Sequence, residues 1–81
     1  MKNKVKIFPN PADAILTILV ENSTKGRKTL QIINSLGQIM SLKQFTADEI
    51  IQDVSNFQYG LYSVVVTSEN SVFSNKIILG K

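Results

Sequence analysis

Apolar and polar residues alternate along most of this chain, and a repeat of two sends successive side chains to opposite faces of an extended backbone. The clearest stretch is Tyr59-Gly60-Leu61-Tyr62-Ser63-Val64-Val65-Val66-Thr67. It is the longest run of β-branched and aromatic residues and reads as a central strand. Alternation puts Tyr62, Val64 and Val66 on one apolar face, assigned to the core. Leu61, Ser63, Val65 and Thr67 fall on the other.

Six further strands follow from the same pattern. Residues 4–8 alternate with Val5 and Ile7 inward and lysines outward, then stop at Pro9-Asn10-Pro11. Each Pro removes a donor and holds the preceding residue extended, so this is an edge strand running into a rigid kink. Lysines on an edge also discourage edge-to-edge association. Residues 15–21 carry Leu16, Ile18 and Val20 on one face, which leaves Leu19 less well explained. A polar loop, 22–27, contains the glycosylation-type triplet Asn22-Ser23-Thr24, a match common by chance. Residues 28–33 point Leu30 and Ile32 inward. Asn34-Ser35-Leu36-Gly37 then reads as a hairpin turn, with Gly37 supplying the left-handed backbone that closes it.

Residues 38–45 return as a fourth strand, and 49–54 form a fifth with two possible registers. The favoured one faces Ile50, Gln52 and Val54 inward, with Gln52 near the rim. The other would turn Ile51 in beside Glu49 and Asp53. Phe57 is placed to plug the end of the core. After a turn at Glu69-Asn70, residues 71–79 form the last strand, with Phe73, Ile77 and Leu79 as core candidates and Asn75 unexplained on their face. No stretch sustains a helical period. Seven short strands at regular spacing predict an all-β fold, a seven-stranded antiparallel Ig-like β-sandwich with Greek-key connections; a small barrel is the alternative. In such sandwiches a Tyr at the start of strand F bonds back to upstream backbone. Tyr62, two residues before the core position Val64, is placed either for that corner or for an ordinary rim tyrosine.

Composition narrows function mainly by exclusion. The chain has 81 residues, enough for one small domain, and contains no Cys, His or Trp. A Ser-His-Asp or Cys-His nucleophile and a His- or Cys-ligated zinc site are thereby impossible. The acids Asp13, Glu21, Asp48, Glu49, Asp53 and Glu69 are scattered. Only Asp48 and Glu49 are neighbours, and they alternate to opposite faces, so no hydrolytic carboxylate pair is expected. Neither catalysis nor a cofactor is expected. The net charge is +3. Its two basic clusters, at the N-terminus and at Lys25–Lys28, read as solvated faces; a nucleic-acid surface needs a denser stripe with stacking aromatics. The basic start lacks the apolar core of a signal peptide, and no run approaches the length of a membrane span.

Four segments in order carry a family resemblance. They are Phe8-Pro9-Asn10-Pro11, Ile32-Ile33-Asn34-Ser35-Leu36-Gly37-Gln38, Asp53-Val54-Ser55-Asn56-Phe57 leading into Gly60-Leu61-Tyr62, and Lys76-Ile77-Ile78. From about Val5 to Lys81 the chain resembles the C-terminal sorting domain of type IX (Por) secretion cargo in Bacteroidetes-type bacteria. Gln52 departs from the pattern, standing where such domains more often carry an apolar residue. The resemblance implies an Ig-like domain at the C-terminus of a larger secreted precursor, with Met1 an added start or an internal residue. It implies a domain that acts as an address and catalyses nothing. The outer-membrane translocation machinery would read it after transit through the periplasm. A sortase-like protease would then remove it, leaving the cargo released or attached at the cell surface. A monomer without membrane insertion or nucleic-acid binding is expected.

The motif residues Pro9, Asn10, Pro11, Gly37, Gly60 and Tyr62 are read first as maintaining the fold, and Lys76 and Lys81 as candidates for contact, because a chain end is accessible. The competing reading is an Ig-like accessory module binding a carbohydrate or a surface protein. Exposed aromatic area discriminates, since sugar platforms need open aromatic faces. Of the six aromatics, Tyr59 and Phe45 are those expected to be exposed.

Overall fold

The alternating segments do form strands. In the computed structural model, which describes residues 4–9, 14–21, 26–69 and 71–80, seven appear. They are β1 (Lys4–Phe8), β2 (Ile15–Glu21), β3 (Lys28–Asn34), β4 (Ile39–Phe45), β5 (Glu49–Asp53), β6 (Gly60–Thr67) and β7 (Val72–Leu79). All pairings are antiparallel. One sheet has the order β1-β2-β5 and the other β4-β3-β6-β7. The chain changes sheet after β2, after β4 and again after β5, which gives the Greek-key sandwich. β6 lies between β3 and β7 and carries the buried Tyr62, Val64 and Val66. Leu16, Ile18 and Val20 face them from β2 across a single core. β1 is an edge strand, as its lysines and terminal Pro predict.

Inward polar residues are resolved by partners. The favoured register of β5 is the one adopted, with Val54 buried and Ile51 exposed. Gln52, expected near the rim, is only 6% exposed. Its Oε1 accepts from Ser41 Oγ of β4 at 3.2 Å and its Nε2 donates to the Asp53 carbonyl at 3.0 Å. The amide thus ties one sheet to the other where an apolar residue would only pack. Lys28 corrects the reading of a solvated basic loop, being 2% exposed. It lies two and four residues before the inward Leu30 and Ile32, so alternation turns it in. Its stem lines a cavity of about 80 Å³ with Val5, Val20 and Phe73. The ammonium donates to the Thr46 carbonyl at 3.1 Å and sits 5.3 Å from the centroid of the Phe45 ring. Asn75 shares the inward side of β7 yet is exposed, and its Oδ1 accepts from the Lys76 N–H at 2.9 Å. It can be polar because β7 is an edge strand and the opposing sheet has only three strands. Among the described residues, every buried side-chain nitrogen or oxygen has a partner.

The two outward faces differ in charge. On the three-stranded sheet Lys6, Glu21, Glu49 and Asp53 stand outward, and Lys6 approaches Glu21 at 3.5 Å. Across the four-stranded sheet the register builds rows such as Ile39–Ile33–Ser63–Lys76 and Leu42–Gln31–Val65–Ser74. Lys76 is the single charge among the outward positions of that face.

Candidate functional site

Strand direction decides which loops meet. β1 and β3 end, and β2, β4 and β6 begin, at the same end of the sandwich where β5 and β7 finish. The ends of β1, β3 and β5, from which the next connections leave, therefore gather at this pole with the end of β7. Phe8 and Pro9 of the first segment that carries the resemblance and the whole of the second and third lie here, and the fourth, on β7, runs toward it.

The β3–β4 turn is held by one side chain. Asn34 Oδ1 accepts from the N–H groups of Leu36 at 3.0 Å and Gln38 at 2.9 Å, while Nδ2 donates to Gln38 Oε1 at 2.9 Å. The Gly37 N–H closes the turn on the Asn34 carbonyl at 3.0 Å. Gly37 has φ +86°, and a Cβ there would meet nothing within 4 Å, so the glycine is required by the backbone and not by space. The turn thrusts Leu36 out to 83% exposure. An apolar side chain held in water by a fixed turn is a feature that sequence reasoning missed. Its signal was a Leu between two turn-forming residues.

The β5–β6 link is ordered residue by residue. Asp53 Oδ1 accepts from the Ser55 hydroxyl at 2.6 Å and from its N–H at 2.9 Å. The Val54 N–H bonds the Ala14 carbonyl at 2.8 Å, tying this link to the start of β2, and the Phe57 N–H bonds the Val54 carbonyl at 3.0 Å. Phe57 then plugs the core end as expected, its ring centroid 5.8 Å from that of Tyr62. The Tyr62 hydroxyl donates to the Gln58 carbonyl at 2.7 Å, four residues upstream, so the tyrosine corner is formed. Gly60 has φ +149° with open space at its Cβ position. Tyr59, beside it, is 63% exposed, and Gly80 lies against its ring: a Cβ there would be 3.8 Å from Tyr59 Cγ. Between the Asn34–Leu36 turn and residues 58–62 is a pocket of about 120 Å³.

The Ser55 hydroxyl and N–H, aided by the charge of Lys43, hold the Asp53 carboxyl below the ordinary value of 3.8. A depressed carboxylate contributes stability that is present above its unfolded pKa and lost as pH falls through the folded one. We expect carboxyl NMR titration to give a midpoint below 3.8. Ser55→Ala should raise it, and acid unfolding of Asp53→Asn should lose that increment of pH dependence. A midpoint unmoved by Ser55→Ala would dismiss the cap.

The structure places the remaining sequence candidates as follows. Pro9 is exposed at the pole end of β1, after a cis Phe8–Pro9 peptide. Asn10, Pro11 and Lys81 lie outside the described residues, as does the Asn22-Ser23-Thr24 triplet. Gly37, Gly60 and Tyr62 come together at the pole. Lys76 does not: it is exposed on the outward face of β7, opposite Ser63. The expectation for aromatics needs one correction. Tyr59 is exposed, but the second exposed ring is Phe8, at 45%, and Phe45 is half-buried under Lys28. Phe8 ends an edge strand on the outward side, opposite Thr17.

A family model described as a secretion system C-terminal sorting domain matches residues 6–80. No curated protein matches the chain. The match spans nearly the whole sequence, and the chain belongs to this family, the C-terminal sorting domains of type IX secretion. The domain is a sorting signal, recognised by the type IX machinery, and it directs secretion across the outer membrane toward the cell surface or the extracellular space.

Proposed function

We propose that this domain is the C-terminal address of a larger secreted precursor and catalyses nothing itself. The observation that carries the reading is the convergence of the family segments on one pole. Gly37, Gly60 and Tyr62 act there by fixing shape, and Pro9 by terminating β1, with Asn10 and Pro11 next to it in the sequence. What the shape presents is what the machinery touches: the exposed Leu36 and Tyr59, and Lys76 on the outward side of β7, with Lys81 five residues further along the sequence. The precursor crosses the periplasm as a folded monomeric address. A sortase-like protease then separates domain from cargo.

The test joins a signal peptide, a fluorescent protein and this domain, in that order, in a host with the type IX machinery. The fusion is expected outside the cell or on its surface. Retention in the periplasm of a secretion-competent host would reject the sorting reading.

A further inference from the structure

We propose that the outward face of the four-stranded sheet is a docking surface for a protein of the type IX machinery, one that presents an uncharged apolar surface and a carboxylate to Lys76. This deepens the sorting reading and rests on it.

The two sides of the sandwich supply the argument. A solvated sheet face alternates apolar-in with polar or charged-out. The three-stranded sheet meets this in its charges, since Lys6, Glu21, Glu49 and Asp53 stand outward among the exposed Phe8, Ile15 and Ile51. The four-stranded sheet has only Lys76 to set among its exposed apolar residues. Ile39, Leu42 and Ile78 are each more than half exposed there, and Leu61 nearly so. Cross-strand register makes the area continuous: Leu61 stands opposite Ile78, and Ile39 stands beside Ile33. Apolar area gathered on one face of a small domain marks an interaction site, whereas scattered apolar residues do not. Depletion of charge at the centre is the compositional mark of a protein interface.

Charge complementarity selects the occupant. The face carries one lysine and no acid. A second copy stacked on the same face would bring no carboxylate to Lys76 and would add a second lysine. A lone lysine also gives little electrostatic purchase on a polyanion such as nucleic acid. An apolar protein surface with one acidic residue satisfies both features. The face also continues into the pole, because Leu61 and Ile78 form its lowest row, beside Tyr59 and Gly80.

The experiment uses the fluorescent fusion with three sets of substitutions. Leu42→Thr with Ile78→Thr keeps strand propensity and removes exposed apolar area. Lys76→Glu reverses the single charge and is compared with Lys76→Ala. Ile51→Thr makes the same kind of change on the three-stranded face. Every position is exposed, so folding is expected to survive, and circular dichroism of the purified domains verifies it. Export of the Leu42→Thr, Ile78→Thr fusion should fall by about tenfold, the effect of losing a modest interface contact. Lys76→Glu should fall further than Lys76→Ala, and Ile51→Thr should export like the parent. A folded Leu42→Thr, Ile78→Thr fusion exported at the parental level overturns the docking surface while leaving the sorting reading standing. Failure of the unsubstituted fusion to export would instead remove the sorting reading, and the docking surface with it. A parent domain that elutes as a dimer, made monomeric by the threonines with export unchanged, assigns the face to a second copy and also overturns the proposal.

Discussion

Replacing Tyr62 by Ala is expected to destabilise the domain by roughly 3–5 kcal/mol, the range for truncating a buried aromatic. Tyr62→Phe should remove about 1–3 kcal/mol, because it takes away only the hydroxyl that satisfies the Gln58 carbonyl at 2.7 Å. Domains have total stabilities of roughly 5–15 kcal/mol, and small ones sit low in that range. The Ala variant should therefore be substantially unfolded at physiological temperature. The loss concentrates at the pole, where Tyr62 braces Phe57 and the β5–β6 link. Urea denaturation with an unchanged m-value measures both variants. A loss below about 0.5 kcal/mol for Tyr62→Phe would mean that water replaces the hydroxyl at no cost, and the corner would then be no more than a buried ring.

The inward position of Tyr62 was legible in the sequence because strand alternation fixes it, whereas the corner bond itself was one of two readings that the structure decides. Once Val64 and Val66 are core residues, Tyr62 must be inward, and an inward tyrosine at a strand end needs a nearby acceptor. Alternation also fixed Leu16, Ile18 and Val20, and it chose the β5 register despite Gln52. What alternation cannot report is the partner that makes an inward polar side chain acceptable. Ser41 answers Gln52 from a strand in the other sheet, and the Thr46 carbonyl and the Phe45 ring answer Lys28 from the far end of a hairpin. Those are tertiary facts. Lys28 was misread because its charge was weighed with the loop before it, although its spacing from Leu30 places it inside. Asn75, which the sequence left unexplained on the inward face, is the reverse case: strand parity faces it inward, but an edge strand leaves that position in water.

The candidate site divides in the same way. Its turn chemistry at Asn34 and Gly37 is local and readable, whereas the meeting of the end of β1, the β3–β4 turn and the β5–β6 link at one pole depends on strand order. The charge contrast between the two outward faces likewise needs the register, since neither face is contiguous in sequence. Lys76 illustrates the consequence. Proximity to the chain end grouped it with Lys81, while the structure sets it on the sheet face, across from Ser63.

Deleting residues 76–81 from the fluorescent fusion is expected to abolish export, and the structure says why this alone cannot locate the signal. The deletion removes Ile77 and Leu79, which are 1% and 2% exposed in the core. Losing two buried aliphatic side chains costs several kcal/mol, comparable to the whole stability of a small domain. It also strips the pairing of Gly60, Leu61, Tyr62 and Ser63 with β7, exposing the strand that carries the corner. The deleted domain should show a collapsed circular dichroism signal, and its loss of export would then report unfolding. The informative partner is Lys76→Ala with Lys81→Ala. Lys76 is exposed, so the substitution should leave the fold intact. If the lysines contact the machinery, the folded double variant should accumulate in the periplasm in proportion to the lost contact, and raised salt should weaken export of the parent in the same direction. If the double variant is folded and exports at the parental level while the deletion fails, the lysines carry nothing. The signal would then lie in the shape of the sandwich and in the apolar surface that shape displays.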